Sequence, residues 1–239
     1  RFLLAHLVKK ADGIISRNIN RRISLTFTRQ LMRTRVTPNQ ITVVVLLVGI
    51  LSGPAIVFLG GYWGLVVGGL LYYSSSVLDG CDGELSRLRF QGSPLGAWLD
   101  TVVDDTVGLS YILGLYWCLA GREALWGAVG VVALCCYFLT LIPRYYMLAV
   151  FQGDGDYQKL SAAKPRAENA GVVARTVWLL EDTVCRIDFI TFAAPTTALL
   201  HCPELFAGLF MLGTIGTATD SLVTLHSMRR RRDKHSGQQ

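Results

Sequence analysis

The sequence predicts an all-α integral membrane protein, with about six transmembrane helices preceded by an interfacial amphipathic helix. Three observations carry this. Of the 239 residues, 51% are hydrophobic and only 17% are charged, with a mean hydropathy of +0.41, which leaves too little polar surface for an ordinary water-soluble domain of that size. The apolar residues gather into stretches of roughly 20, the length a helix needs to cross a bilayer. The formal net charge of +6 sits mainly in an N-terminal arm and a C-terminal tail, where anionic lipid headgroups explain it better than nucleic acid does.

Residues 1–36 form the arm, with nine Lys or Arg and one acid. Phe2, Leu3, Leu4, Ile14, Ile15, Ile19, Ile23, Leu25, Phe27 and Leu31 recur there at broadly helical spacing. A helix lying on the membrane surface fits this pattern, the alternative being a basic linker with accidental hydrophobes. Thr37-Pro38-Asn39-Gln40 then starts a new helix, with Thr37 as cap and Pro38 at the first position.

The membrane domain is expected over 37–228. The first span runs from about Pro38 to Leu59, and Gly60-Gly61-Tyr62-Trp63-Gly64 turns it into a second that ends near Asp79. A third runs from Pro94 to about Leu119, a fourth from Ala124 to Phe151, a fifth from about Asp182 to Leu200 and a sixth from Glu204 to Met228. Residues 229–239 form a basic tail opening with Arg229-Arg230-Arg231-Arg232. The arm, the 79–104 hairpin, the 152–175 loop and the tail share one side, whereas the opposite loops offer little beyond Arg122. Both termini and the hairpin are therefore expected to face the cytoplasm, in the inner membrane of a prokaryote.

Six scattered cysteines without a C-x-x-C pair read as small apolar thiols. The loop from Gln152 to Asn169 is the longest polar insertion, either a lid or a solvated connector. The chain opens on Arg1 rather than Met, as a piece of something longer would.

Chemistry concentrates in DGCDGELSRLRFQGSPLGAWLDTVVD, from Asp79 to Asp104. Asp79 and Asp82 are three residues apart, and Asp100 and Asp104 four, so each pair shares a helix face. Between them Gly92 can stop one helix, Ser93 can cap the next and Pro94 suits its first position. Four acids at the mouth of a membrane hairpin repel one another, raise each other's pKa and resist burial unless cations sit among them. Carboxylate-only ligation favours Mg²⁺ or Mn²⁺ over zinc, and two such ions can clamp a pyrophosphate. The bland alternatives are an ion-pair network or a proton relay, the latter as part of an ion- or proton-coupled transporter. Gly83, with no side chain one turn after Asp79, allows close approach of a ligand or of another helix. Arg87, a turn further on, can reach phosphates or a lipid headgroup. Gly96 precedes Asp100 by a turn and is expected to permit tight contact between the second and third spans, and to touch a nucleotide.

The spacing D-x2-D-G-x2-S-R-x8-G-x3-D-x3-D resembles that of the CDP-alcohol phosphotransferase family of integral membrane enzymes, matching at Asp79, Asp82, Gly83, Arg87, Gly96, Asp100 and Asp104. It departs at Ser86, where the family usually carries Ala. The TPNQIT stretch belongs to the same likeness. The resemblance implies a donor CDP-O-R bound through its pyrophosphate to metal held by Asp79, Asp82, Asp100 and Asp104, with Gly83, Arg87 and Gly96 around the CDP moiety. It further implies attack by an acceptor hydroxyl on the phosphorus bearing R, with Asp104 as general base and CMP leaving. LDGCDGELSRLRF, GAWLD and ISRNINRRIS look like the di-myo-inositol phosphate phosphate synthase branch, which joins CDP-inositol to inositol phosphate and in some members follows a cytidylyltransferase. Asp105 departs from the basic residue often found there. A phospholipid synthase using CDP-diacylglycerol is the neighbouring alternative.

Arg144, after Pro143 in the fourth span, and Arg186 near the start of the fifth are the anion clamps expected for a phosphorylated acceptor, with snorkelling to the interface as the alternative. Asp188 is two residues from Arg186 and does not share its helix face. Asp220 reads as a hydrogen-bonded acid or dimer contact, and His201 and His226 as peripheral. Family members are commonly homodimers, and Gly108, Gly114, Gly127 and Gly130 suit close helix contacts either between subunits or within one.

Overall fold

The structure, a computed structural model, describes residues 15–152 and 187–236, with side chains over 15–150 and 189–226. After a π-helical turn at Ser16–Asn20, the helices are α1 (Arg21–Leu31), α2 (Pro38–Ile50), α3 (Ser52–Leu59), α4 (Gly61–Arg89), α5 (Pro94–Ala120), α6 (Ala124–Met147), α7 (Ile187–Leu199) and α8 (Pro203–Ser236). The described residues contain no strand. Among the described residues, four stretches are long and apolar enough to cross a membrane by length and composition: Pro38–Leu59, Pro94–Ala120, Ala124–Val150 and Pro203–His226. α4 and α7 stand where the sequence predicts the second and fifth segments, although α4 falls short of that apolarity and α7, at 13 residues, of that length. Residues 1–14, the 153–169 part of the polar loop and Arg186 lie outside the described residues, as does the side chain of Asp188. α8 runs on to Ser236, past the expected start of the tail at 229.

α4 is the central rod, with α1, α2, α3 and α7 packed on it; α5 packs on α2 and α3, and α6 joins α5 to α8. The start of α2 is set by Thr37, whose N–H donates to Gln40 Oε1 at 3.0 Å, with Pro38 in the first turn. The break between α2 and α3 has a local cause. Pro54 has no N–H for the carbonyl of Ile50, and Ser110 Oγ of α5 donates to that carbonyl at 2.7 Å instead. One hydroxyl thus satisfies the freed acceptor and ties α5 to the kink.

The same crossing is made of small residues. A Cβ added to Gly114 would lie 2.7 Å from Gly53 Cα, and one added to Gly130 would lie 2.8 Å from Tyr116 Cβ. Both glycines therefore serve packing within one chain, as close helix approach in an apolar medium requires. The core around them holds the stacked Tyr72 and Tyr111, centroids 4.6 Å apart, and Tyr116, whose hydroxyl donates to the Ala207 carbonyl at 2.9 Å. Outside, Phe58, Trp63, Trp117, Leu125, Ile142 and Leu212 stand largely exposed, as side chains facing hydrocarbon or its border would.

The bundle has two distinct ends. Tyr62 stacks on His201 at 4.3 Å and Arg122 pairs with Glu204 at 3.0 Å at one end. α1, the start of α2, the end of α4 and the start of α5 meet at the other.

α1 is seated with its polar stripe inward. Ser16, Asn20, Ser24 and Thr28, four residues apart, are buried, while Ile19, Ile23 and Phe27 face outward. In water this would be inside out; at a membrane surface it places the apolar stripe where lipid can cover it.

A Gly114→Val exchange should cost roughly 1–3 kcal/mol through overpacking against Gly53. In detergent its thermal midpoint should fall by several degrees, whereas Gly83→Ala, whose added Cβ meets no atom of the described residues within 4 Å, should leave the midpoint in place. Equal midpoints for Gly114→Val and the parent would contradict the packing described.

Candidate active site

The hairpin between α4 and α5 is fixed by two caps. Ser93 Oγ accepts from the Gly96 N–H at 3.0 Å, with Pro94 at the first helical position, as the sequence predicts. The end of α4 differs from expectation. The left-handed residue is Phe90, at φ 54°, not Gly92. Gln91 N–H donates to the Ser86 carbonyl at 2.9 Å, a C-terminal closure that requires its preceding residue to be left-handed. The Phe90 side chain is 95% exposed and so has room for that backbone; the sequence reading followed glycine's greater freedom instead.

With the hairpin set, α4 and α5 bring three carboxylates together. One oxygen each of Asp79, Asp82 and Asp100 lies within 4.8 Å of the others. Asp82 is 6% exposed, and its Oδ2 accepts from Thr42 Oγ1 of α2 at 2.6 Å. Oδ1 of Asp79 is buried with no hydrogen-bond partner among the described residues. Two unit charges about 4 Å apart oppose one another by about 4 kcal/mol at an effective dielectric of about 20. A cluster of hard oxygen donors with a buried, unsatisfied atom fits a divalent cation of the Mg²⁺ or Mn²⁺ type. Asp104, one turn beyond Asp100 and half-buried, is not one of the three.

The surroundings separate the other motif residues by role. A Cβ on Gly83 would meet nothing within 4 Å among the described residues, so packing between the described helices does not explain the missing side chain. Arg87 follows one turn later, half-buried on α4. The near neighbours of a Cβ on Gly96 would be Ser93 Oγ at 3.1 Å and Asn39 Oδ1 at 3.4 Å. Gly96 therefore fits against the start of α2, in the first span, rather than against α4 in the second as the sequence reading had it.

A second polar cluster lies between α5 and α6. Asp105 accepts from Arg144 Nη2 through one oxygen and from the Tyr145 hydroxyl at 2.8 Å through the other, while the Tyr137 hydroxyl donates to the Asp105 carbonyl at 3.2 Å. The Arg144 guanidinium thus has a carboxylate partner inside the chain. Asp220 is half-buried on α8, His226 is exposed, and His201 lies at the opposite end of the bundle against Tyr62.

Sequence reasoning missed Thr42 and Glu84. A hydroxyl among the apolar residues of the first span marks Thr42. Glu84, 0% exposed inside the acidic motif, is marked by nothing local, because its partners lie in α1.

Comparison with known proteins adds a family and several relatives. Curated relatives, three of which follow, carry the name bifunctional IPC transferase and DIPP synthase. That of Thermococcus kodakarensis is 41% identical over 135 residues, which is 56% of this chain and 30% of the relative. The protein of Aquifex aeolicus is 39% identical over 115 residues, 46% of this chain and 26% of its own length. The protein of Rubrobacter xylanophilus is 39% identical over 133 residues, 56% of this chain and 29% of its own. The chain therefore spans under a third of the length of these relatives. The CDP-alcohol phosphatidyltransferase family matches residues 35–218, a range that holds α2 through the first part of α8 and all four motif aspartates. With the carboxylate trio on the hairpin and this match over most of its length, the chain belongs to the CDP-alcohol phosphatidyltransferase family.

Proposed function

We propose that this protein transfers a substituted phosphate from a CDP-alcohol, of the CDP-inositol type, to a hydroxyl of inositol phosphate or a similar polyol, releasing CMP. The observation that carries the reading is the trio Asp79, Asp82 and Asp100, with oxygens within 4.8 Å, beside the open face at Gly83. The names of the relatives support the inositol class of donor and acceptor.

Asp79, Asp82 and Asp100, with Asp104 nearby, would hold the divalent cations, two in number. When bound, such ions neutralise charge on a pyrophosphate and its leaving phosphate. Thr42 holds one oxygen of Asp82 and so fixes the direction of the other. Gly83 leaves room for the cytidine, and Gly96 lies at the edge of the same pocket. Arg87 supplies a fixed positive charge to the donor phosphates. The acceptor oxygen forms a bond to the phosphorus bearing the alcohol as the bond from that phosphorus to the CMP oxygen breaks. Asp104 takes the acceptor's proton.

The acceptor side falls to Arg144 and Arg186. Because Asp105 engages Arg144, an anionic acceptor has to compete for that guanidinium, and a hydroxyl-rich acceptor finds both a donor and an acceptor group there. The site faces the cytoplasm across the inner membrane, the chain pairs as a homodimer, and a cytidylyltransferase, fused or separate, supplies the donor.

The deciding experiment offers CDP-inositol, CDP-glycerol and CDP-diacylglycerol, each with inositol phosphate or a neutral polyol, to the purified protein with Mg²⁺, and scores CMP. CMP is expected from CDP-inositol; product from CDP-diacylglycerol alone would make the protein a phospholipid synthase instead. Asp104→Asn should fold and bind donor while losing turnover by at least about a hundredfold, the scale of a lost general base. Parent-like turnover would remove Asp104 from the chemistry. Asp105→Asn should lower KM for a phosphorylated acceptor by roughly tenfold, or about 1.4 kcal/mol, and leave KM for a neutral polyol in place. An equal change in both would show that Asp105 does not restrain Arg144.

A further inference from the structure

Glu84 stands inside the acidic motif but outside the carboxylate trio. Two residues beyond Asp82, it lies about 200° further around the helix and so points to the opposite side, toward α1. Its side chain is 0% exposed. Oε1 accepts from Arg21 Nη1 at 2.9 Å and from Ser24 Oγ at 2.7 Å, and Oε2 accepts from Thr28 Oγ1 at 2.7 Å. All three donors come from α1. Charge-assisted hydrogen bonds of this kind are the strong ones, and a buried carboxylate that loses a partner is costly.

α1 and the π-helical turn before it grip α4 elsewhere too. Tyr73 OH donates to Asn20 Oδ1 at 2.8 Å, and Cys81 Sγ lies 3.6 Å from the Ser24 carbonyl. A Cβ on Gly80 would come within 3.3 Å of Ser24 Cβ. At the far end of α1, Arg89 donates to the carbonyls of Leu31 at 3.0 Å, Thr34 at 2.7 Å and Val36, which satisfies acceptors that a helix C-terminus leaves open. An acid of α4 thus takes donors along α1, and an arginine of α4 takes carbonyls at its end. Gly80, Cys81 and Glu84 alternate with Asp79, Asp82 and Gly83 on consecutive turns, so a slip of α1 against α4 turns the aspartates as well.

Resting on the reading that Asp79, Asp82 and Asp100 hold a divalent cation, we propose that Glu84 is a positioning residue: clamped by Arg21, Ser24 and Thr28, it sets the rotation of the α4 turn that carries Asp79 and Asp82, and through it the affinity of the site for the cation. The interfacial helix is then part of the metal site's frame as well as a membrane contact.

The test is Mn²⁺ binding to the full chain in lipid nanodiscs, without nucleotide, read from the electron paramagnetic resonance signal of free Mn²⁺. The metal-free thermal midpoint is recorded beside it. Glu84→Gln should weaken Mn²⁺ binding by roughly tenfold, the lower end of what outer-shell partners of a metal site contribute. Thr28→Val should weaken it less, and Arg21→Gln combined with Glu84→Gln should lose little beyond Glu84→Gln alone, since partners in one contact are not additive. A lowered metal-free midpoint with unchanged Mn²⁺ affinity would reduce Glu84 to a structural contact and overturn the proposal. Should Glu84→Gln fail to fold, Thr28→Val carries the same test, and unchanged affinity there overturns it. Parent protein that binds no Mn²⁺ would bring down the metal reading itself, and this inference with it.

Discussion

Three carboxylate oxygens held within 4.8 Å of one another at one end of an apolar bundle create a repulsion that the rest of the structure has to contain. The backbone does part of the work: the Ser93 cap and the left-handed Phe90 fix where α4 stops and α5 starts, so the acids cannot drift apart. α2 adds Thr42, whose hydroxyl is committed to Asp82 at 2.6 Å. One Asp79 oxygen stays buried and, among the described residues, without a hydrogen-bond partner. That arrangement is costly for the bare protein and favourable once a hard cation is present.

Two other acids, Glu84 within the motif and Asp105 just after it, are treated differently. Glu84 meets Arg21 of α1, and Asp105 meets Arg144 of α6. Each is matched by an arginine from a different helix and by at least one hydroxyl. Charge in this end of the bundle is therefore sorted by helix face: acids that tie helices together are neutralised by the chain, and acids on the α4–α5 face are gathered toward one another.

Much of this was legible in the sequence. The apolar segments follow from length and hydropathy, and Thr37-Pro38 and Ser93-Pro94 mark helix starts by local hydrogen bonding that neighbouring residues decide. The three- and four-residue spacings put acids on common faces. What stayed hidden depends on the register between helices. Nothing near Asp82 in the chain points to Thr42, forty residues earlier, and nothing near Glu84 points to Arg21, sixty-three earlier. Spacing also treats Asp100 and Asp104 as equals, whereas the crossing of α4 and α5 brings only the first into the trio. The four-residue recurrence of Ser16, Asn20, Ser24 and Thr28 was visible as polarity, but polarity alone does not say whether water or a protein groove receives it; here a groove does.

The small-residue crossing of α3 and α5 has a bearing on traffic. Gly53 and Gly114 bring two backbones together, and Ser110 closes the kink above them with a hydrogen bond to Ile50. At that depth the two helices leave no room between them for an acyl chain or a sugar. Molecules reaching the aspartates must come by the hairpin end or through another wall of the bundle, and the search for their doorway can leave this flank aside.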